Sequence, residues 1–121
     1  MQSIAALARC SAVCLALAVG LAPACKAEVA AGSTDGAQVC REVCAHCHGG
    51  LGAPPAQLAA TVKDLTAAEF QARATLEVVR EQVKHGSASK VMPAFADVLS
   101  EAQVDAVAGY VLTLGRAGEG P

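Results

Sequence analysis

The chain has 121 residues, enough for one small domain, and a formal net charge of −2 at neutral pH. It carries no basic stripe suited to nucleic acid or an anionic membrane, so neither partner class is favoured. Apolar residues make up 54% of the sequence, yet Trp is absent and the only aromatic side chains are Phe70, Phe95 and Tyr110. A domain this small and this poor in rings buries little surface unaided. A bound apolar macrocycle would supply the missing bulk, although an Ala-rich helical bundle without a cofactor would have the same composition.

Residues 1–27 read as an export signal. Arg9 gives a weak positive start, and 11–21 is an apolar stretch too short to span a bilayer well. Ala22-Pro23-Ala24 is a small-residue cleavage site that would leave Cys25 first, and cleavage after Ala27 fits nearly as well. A lipidated or retained leader is the less favoured reading, and only in that case is a membrane partner expected. Loss of residues 1–27 removes Arg9 and Lys26 and makes the mature domain more acidic.

The domain proper is expected over 34–115. Thr34 or Asp35 can cap a first helix running to about His48, with Gly36, Val39, Cys40 and Val43 on one face. Three glycines and Pro54-Pro55 make 49–55 a loop, and 56–63 can hold a short helix. Thr66 to Glu69 has the form of a capping box, with Thr66 as the cap. Helical spacing then continues to His85, with Ala72, Leu76, Val79 and Val83 on one face and Gly86 as the stop. Thr75 can start a fresh helix, so two shorter helices fit better than one. A second loop follows over 87–96, containing Met92-Pro93-Ala94-Phe95. Ser100 to Gln103 forms another capping box, opening a last helix to about Leu114 with Val104, Val107, Val111 and Leu114 as its buried stripe. Residues 116–121 are expected to form a frayed tail. No strand alternation and no repeat occurs, so the expected class is all-α.

The chemistry concentrates in Cys44-Ala45-His46-Cys47-His48. C-x-x-C-H is the attachment signature of a c-type haem. On a helix, residues three and four apart share a face, so Cys44 and Cys47 can present both sulfurs to the two vinyl groups of one porphyrin. His48 lies on that side and can ligate the iron, provided its other ring N–H finds an acceptor. A backbone carbonyl near Pro54 is the expected acceptor. Met92, stiffened by Pro93, is the favoured sixth ligand, because a neutral thioether stabilises ferrous iron and raises the potential. His85 is a rival ligand, and core filler is the alternative for Met92. Two other readings of the cysteines stay open here. One is an oxidising disulfide motif, which would need βαβ units. The other is a zinc site using Cys40, Cys44, Cys47 and a His, which lacks a second distant ligand pair.

On these residues the chain resembles the class I cytochrome c family in its short bacterial monohaem form. The likeness spans about 34–114 and rests on Cys44 to Gly49, Pro54, Met92 to Phe95, and a closing helix with Val107 and Tyr110-Val111. It implies a small fold of about four to five helices around one covalent haem c, with the first and last helices crossing at Gly36 against Val107 and Tyr110. It also implies a periplasmic electron carrier without substrate chemistry of its own, exchanging electrons with a donor and an acceptor redox protein. An alternative role is the cytochrome subunit of a flavin- or quinone-dependent dehydrogenase, similar to that of p-cresol methylhydroxylase. An open-site peroxidase is disfavoured by Met92. One departure stands out: Cys40 occupies a position where the family usually has an aromatic residue. It reads as a small buried hydrophobe, or as a partner for Cys25 if that residue survives processing.

Overall fold

The computed structural model describes residues 29–118, which form an all-α domain. The expected leader, with Cys25, and residues 119–121 of the expected tail lie outside the described residues. Among the described residues there is no strand, and no helix is long and apolar enough to cross a membrane.

The first helix, α1, runs continuously over 36–48. Asp35 caps it, its carboxylate accepting from the amides of Ala37 (2.9 Å) and Gln38 (3.4 Å). The helix has three parts: an α turn Gly36–Val39, a π-helical turn Cys40–Cys44, and a last α turn Ala45–His48. In the middle part the Ala45 amide reaches back five residues to the Cys40 carbonyl. The wide turn holds one extra residue, so the face carried by the last turn is rotated by about 100° from that of an uninterrupted helix. Sequence periodicity, which assumes a constant 3.6-residue turn, gives no sign of this.

Three further helices follow: α2 (Ala68–Gln71), α3 (Leu76–His85) and α4 (Glu101–Val111). The helical pattern over 66–85 therefore splits in two, and Thr75 caps α3 by accepting from the Val78 amide at 3.2 Å. Two expectations here need correction. Thr66 does not cap α2, which starts after Ala67 without a side-chain cap; Asp64 captures both the Thr66 amide (2.8 Å) and its hydroxyl (2.6 Å). On α3, Val79 and Val83 are buried but Leu76 in its first turn is exposed, and Ala72 lies exposed just after α2. The break before Thr75 separates Ala72 from the other three. Residues 56–63 form turns rather than a helix.

Helix α4 is organised as its sequence suggests. Ser100 and Gln103 cap one another, with Gln103 donating its amide to the Ser100 hydroxyl (3.2 Å) and accepting the Ser100 amide (3.1 Å). Its buried stripe is Val104, Val107, Ala108 and Val111, continued by Leu114 in a short 3-10 segment. These residues meet Val39 and Cys40 of α1 and Val79 and Val83 of α3 in one core. Arg80 and Lys84 of α3 reach Glu101 and Asp105 of α4 across the surface at 2.9–3.4 Å. At that exposure such pairs add little beyond orientation.

The tightest contact in the fold is the crossing of α1 on α4. A Cβ on Gly36 would strike the Ala106 carbonyl group and come within 2.8 Å of the Tyr110 Cβ. A methyl there must push the helices apart. We therefore expect Gly36→Ala to lower the stability of the protein by about 2 kcal/mol, in the range of overpacked cores. Denaturant unfolding followed by circular dichroism measures this, and an unchanged midpoint would show that the crossing can relax.

Candidate functional site

The π turn and the last α turn of α1 carry Cys44, Cys47 and His48. Cys47 is exposed, Cys44 and His48 are half-buried, and all three described cysteines, Cys40, Cys44 and Cys47, are free thiols. Cys40 is 2% exposed and lies one turn before Cys44, within hydrogen-bonding reach of it. That bond, followed by burial, pushes the Cys44 thiol well above its usual range, while the same bond lowers Cys40. His46 is exposed.

His48 is held through its ring. Its Nδ1 lies 2.9 Å from the Lys63 carbonyl oxygen. A carbonyl only accepts, so Nδ1 must carry the proton, and in the neutral ring Nε2 keeps its lone pair free. The expected acceptor near Pro54 is thus replaced by Lys63, and Pro54 is half-buried in the intervening loop with no bond to the imidazole. The reason is the path of the chain. The Gly52 amide turns back on the Gly49 carbonyl (3.2 Å), and Leu65 donates to the Gly52 carbonyl (2.9 Å). This closes 53–64 into a loop whose far end returns beneath His48. Leu65 anchors that end in the core, and Gln71 ties it to α4 by donating to the carbonyls of Leu65 (2.6 Å) and Val111 (2.9 Å). Sequence alone offered only the proline as a marker; the acceptor is a main-chain atom of a residue with no motif.

Met92 approaches from the other direction, in the loop after α3. It is half-buried and packs against the same core that Cys44 and Phe95 touch. The loop folds back on α3, with Phe95 donating to the Val83 carbonyl (3.0 Å) and Ala96 to that of Lys84 (3.3 Å). His85, the rival ligand, is exposed and faces Glu81 at 3.2 Å on its own helix. Its surroundings are those of a solvated residue at a helix end.

The four side chains offer two thiols one turn apart, an imidazole with one nitrogen free, and a thioether. This donor set suits an iron porphyrin bound covalently at its edge. It suits zinc poorly: among the described residues no three His, Cys, Asp or Glu side chains converge as a metal site. A separate open groove of about 220 Å³, floored by Ala67, Phe70, Ala74 and Val78, lies beside Lys63 and Arg73. Neither His48 nor Met92 lines it.

Asp64 follows Lys63 in the chain and accepts from Thr66 through its carboxylate. Its carboxyl is held below the ordinary range, first by the Thr66 hydroxyl and then by the Thr66 amide. A depressed folded-state pKa stabilises the fold above the unfolded value and loses that contribution as pH falls through the folded one. Asp64→Asn should therefore weaken the protein near neutral pH by about 0.5 kcal/mol, a small effect because the group is largely solvated. The difference should vanish below the carboxylate range. Unfolding curves at the two pH values test this, and a gap that persists in acid would deny the carboxylate its role.

A family model described as cytochrome c oxidase, cbb3-type, subunit III matches residues 31–111. Among solved structures, the chain is similar to the KustC0563 c-type cytochrome, with a TM-score of 0.60 and 27% identity, over 66% of this chain and 96% of that one. No curated protein matches the sequence.

Proposed function

The chain belongs to the cytochrome c oxidase, cbb3-type, subunit III family, and we propose that it carries one haem c, joined through Cys44 and Cys47 and ligated by His48 and Met92. Family and fold are those of a class I c-type cytochrome, a haem-based electron carrier rather than a catalytic enzyme. The ligand set, the periplasmic location and the redox partners are our reading.

The observation that carries the ligand assignment is the bond from His48 Nδ1 to the Lys63 carbonyl. It fixes the ring's tautomer and orientation and raises the basicity of Nε2, as such outer contacts do for metal-bound imidazoles. The bound haem supplies a one-electron iron couple. The protein's part is to hold both ligands so that little moves when the charge changes. His48 is braced by the returning loop, and Met92 by a loop bonded to α3. A neutral thioether raises the potential relative to a stronger donor. The buried valines of α3 and α4 keep water from the interior on which Cys44 and Met92 pack.

Export supports this reading, because thioether attachment of haem takes place outside the cytoplasm, and residues 1–27 have the pattern of a cleaved leader. A free carrier between two redox proteins is the reading we favour. The family's description favours a second, in which the chain is the cytochrome subunit of a larger oxidoreductase. A flavin- or quinone-dependent dehydrogenase is one such partner, and copurification of the native protein separates free from bound.

Denaturing electrophoresis of protein matured with the haem-attachment machinery should show haem retained, and Cys44→Ala combined with Cys47→Ala should lose it. Met92→Ala should keep the haem, lower the midpoint potential by on the order of 100 mV within the ~0.8 V that axial ligands command, and open the ferric form to added cyanide. A potential equal to wild type would remove Met92 from the iron.

A further inference from the structure

We propose that Ser87 is a positioning residue that holds Met92 in its ligating pose. The inference rests on Met92 being the sixth ligand and names what keeps it there.

Ser87 meets both polar groups of the Met92 backbone. Its hydroxyl accepts the Met92 amide at 3.0 Å, and its own amide donates to the Met92 carbonyl at 2.9 Å. One residue thus closes a six-residue ring over 87–92, and the Lys90 amide, bonded to the Ser87 carbonyl at 3.0 Å, folds the ring's far side inward. The hydroxyl is used twice. Because it accepts from Met92, its proton is free for the Ser89 hydroxyl 3.1 Å away.

The neighbours leave this ring few alternatives. Gly86 sits at φ 72°, where other residues are strained, and a Cβ there would meet the Met92 carbonyl oxygen and lie 2.7 Å from the Pro93 carbonyl carbon. The Gly86 amide is bonded to Gln82 and its carbonyl to the Gln82 side chain, so the ring hangs from the last turn of α3. On the other side Pro93 has no amide proton and a fixed φ. Met92 therefore has one half-buried donor and one acceptor to satisfy, and Ser87 supplies both.

The consequence concerns ligand competition. A neutral thioether is a weak ligand for ferric iron, so its occupancy depends on how little freedom the loop has to withdraw it. Removing the hydroxyl leaves the Met92 amide without its partner and favours loop conformations that satisfy it by turning outward to water. The bound state then yields more readily to an external ligand.

The experiment uses the haem-loaded, full-length protein and imidazole as the competing probe. In wild type, the weak red charge-transfer absorption of Met-ligated ferric haem should be present and should disappear as imidazole binds. Its absence in wild type would sink the Met92 assignment, and with it the basis of this inference. If the band is present, Ser87→Ala should keep it at reduced intensity and bind imidazole about tenfold more tightly. Circular dichroism and the ferrous spectrum should stay at their wild-type form. Ser87→Thr, which keeps a hydroxyl, should return imidazole affinity towards the wild-type value. An imidazole affinity for Ser87→Ala equal to that of wild type, with the band present in both, would overturn the role of Ser87. So would a Thr variant that behaves like the Ala variant.

Discussion

The crossing of α1 over α4 at Gly36 is the constraint on which the rest of the domain depends. Without a side chain at that position, the two backbones approach until the Ala106 carbonyl and Tyr110 lie directly against it. Val39 and Cys40 then fall between Val104, Val107, Ala108 and Val111, and four of the deepest side chains in the protein, Val39, Cys40, Val104 and Val107, become mutually buried. None of them is aromatic. A core of valines and one thiol fills little volume, so close backbone approach has to replace side-chain bulk as the source of packing density. The low ring content of the sequence and the glycine crossing are two sides of one solution.

Cys44, Cys47 and His48 extend from that crossing on the last turns of α1, and Met92 stands in a loop. The helical scaffold has few long elements, and two glutamine side chains tie down its loose segments in addition to the burial of Ala30 and Leu65. Gln103 is 4% exposed and donates from one nitrogen to the carbonyls of Val29 (2.9 Å) and Ser33 (3.1 Å), pinning the entry to α1 against α4. Gln71 does the same for the stretch that orients His48. Each amide saturates carbonyls that a non-helical segment would otherwise leave bare in a partly buried setting. The loop carrying Met92 uses a different device, main-chain bonds to the last turn of α3. The two proposed axial ligands are therefore braced by separate parts of the frame, both of which lead back to α4.

Much of this was legible before any coordinates. The helices at both ends, the Asp35 cap, the reciprocal pair Ser100 and Gln103, the fresh start at Thr75 and the stop at Gly86 are local events, decided by residues within four positions of one another. Gly36 was legible for another reason: the family resemblance placed a helix crossing there. What stayed hidden was either main-chain or competitive. Lys63 orients His48 through its carbonyl, which every residue possesses, so no side-chain pattern marks it. Thr66 has the right neighbours for a cap, but Asp64 two residues earlier offers a stronger, charged acceptor and wins both of its donors. Ala72 falls on the far side of the break before Thr75, and the 3.6-residue pattern that groups it with Leu76, Val79 and Val83 does not register that break.

The π turn begins at Cys40, the one position that departs from the family pattern. The turn spans Cys40 to Cys44, with Cys40 in the core at its start and Cys44 half-buried at its end. In the unmodified chain the Cys44 thiol is raised, first by its bond to Cys40 and then by burial. Conversion of Cys44 to a thioether, as proposed for haem attachment, removes the thiol proton and leaves a sulfur that can only accept. The pair is satisfied afterwards only if Cys40 donates, which requires Cys40 to remain a neutral thiol. Burial of Cys40 favours that same form. The thiol that departs from the family pattern beside the attachment motif is thus a small core residue that could donate to the Cys44 sulfur once that sulfur is a thioether.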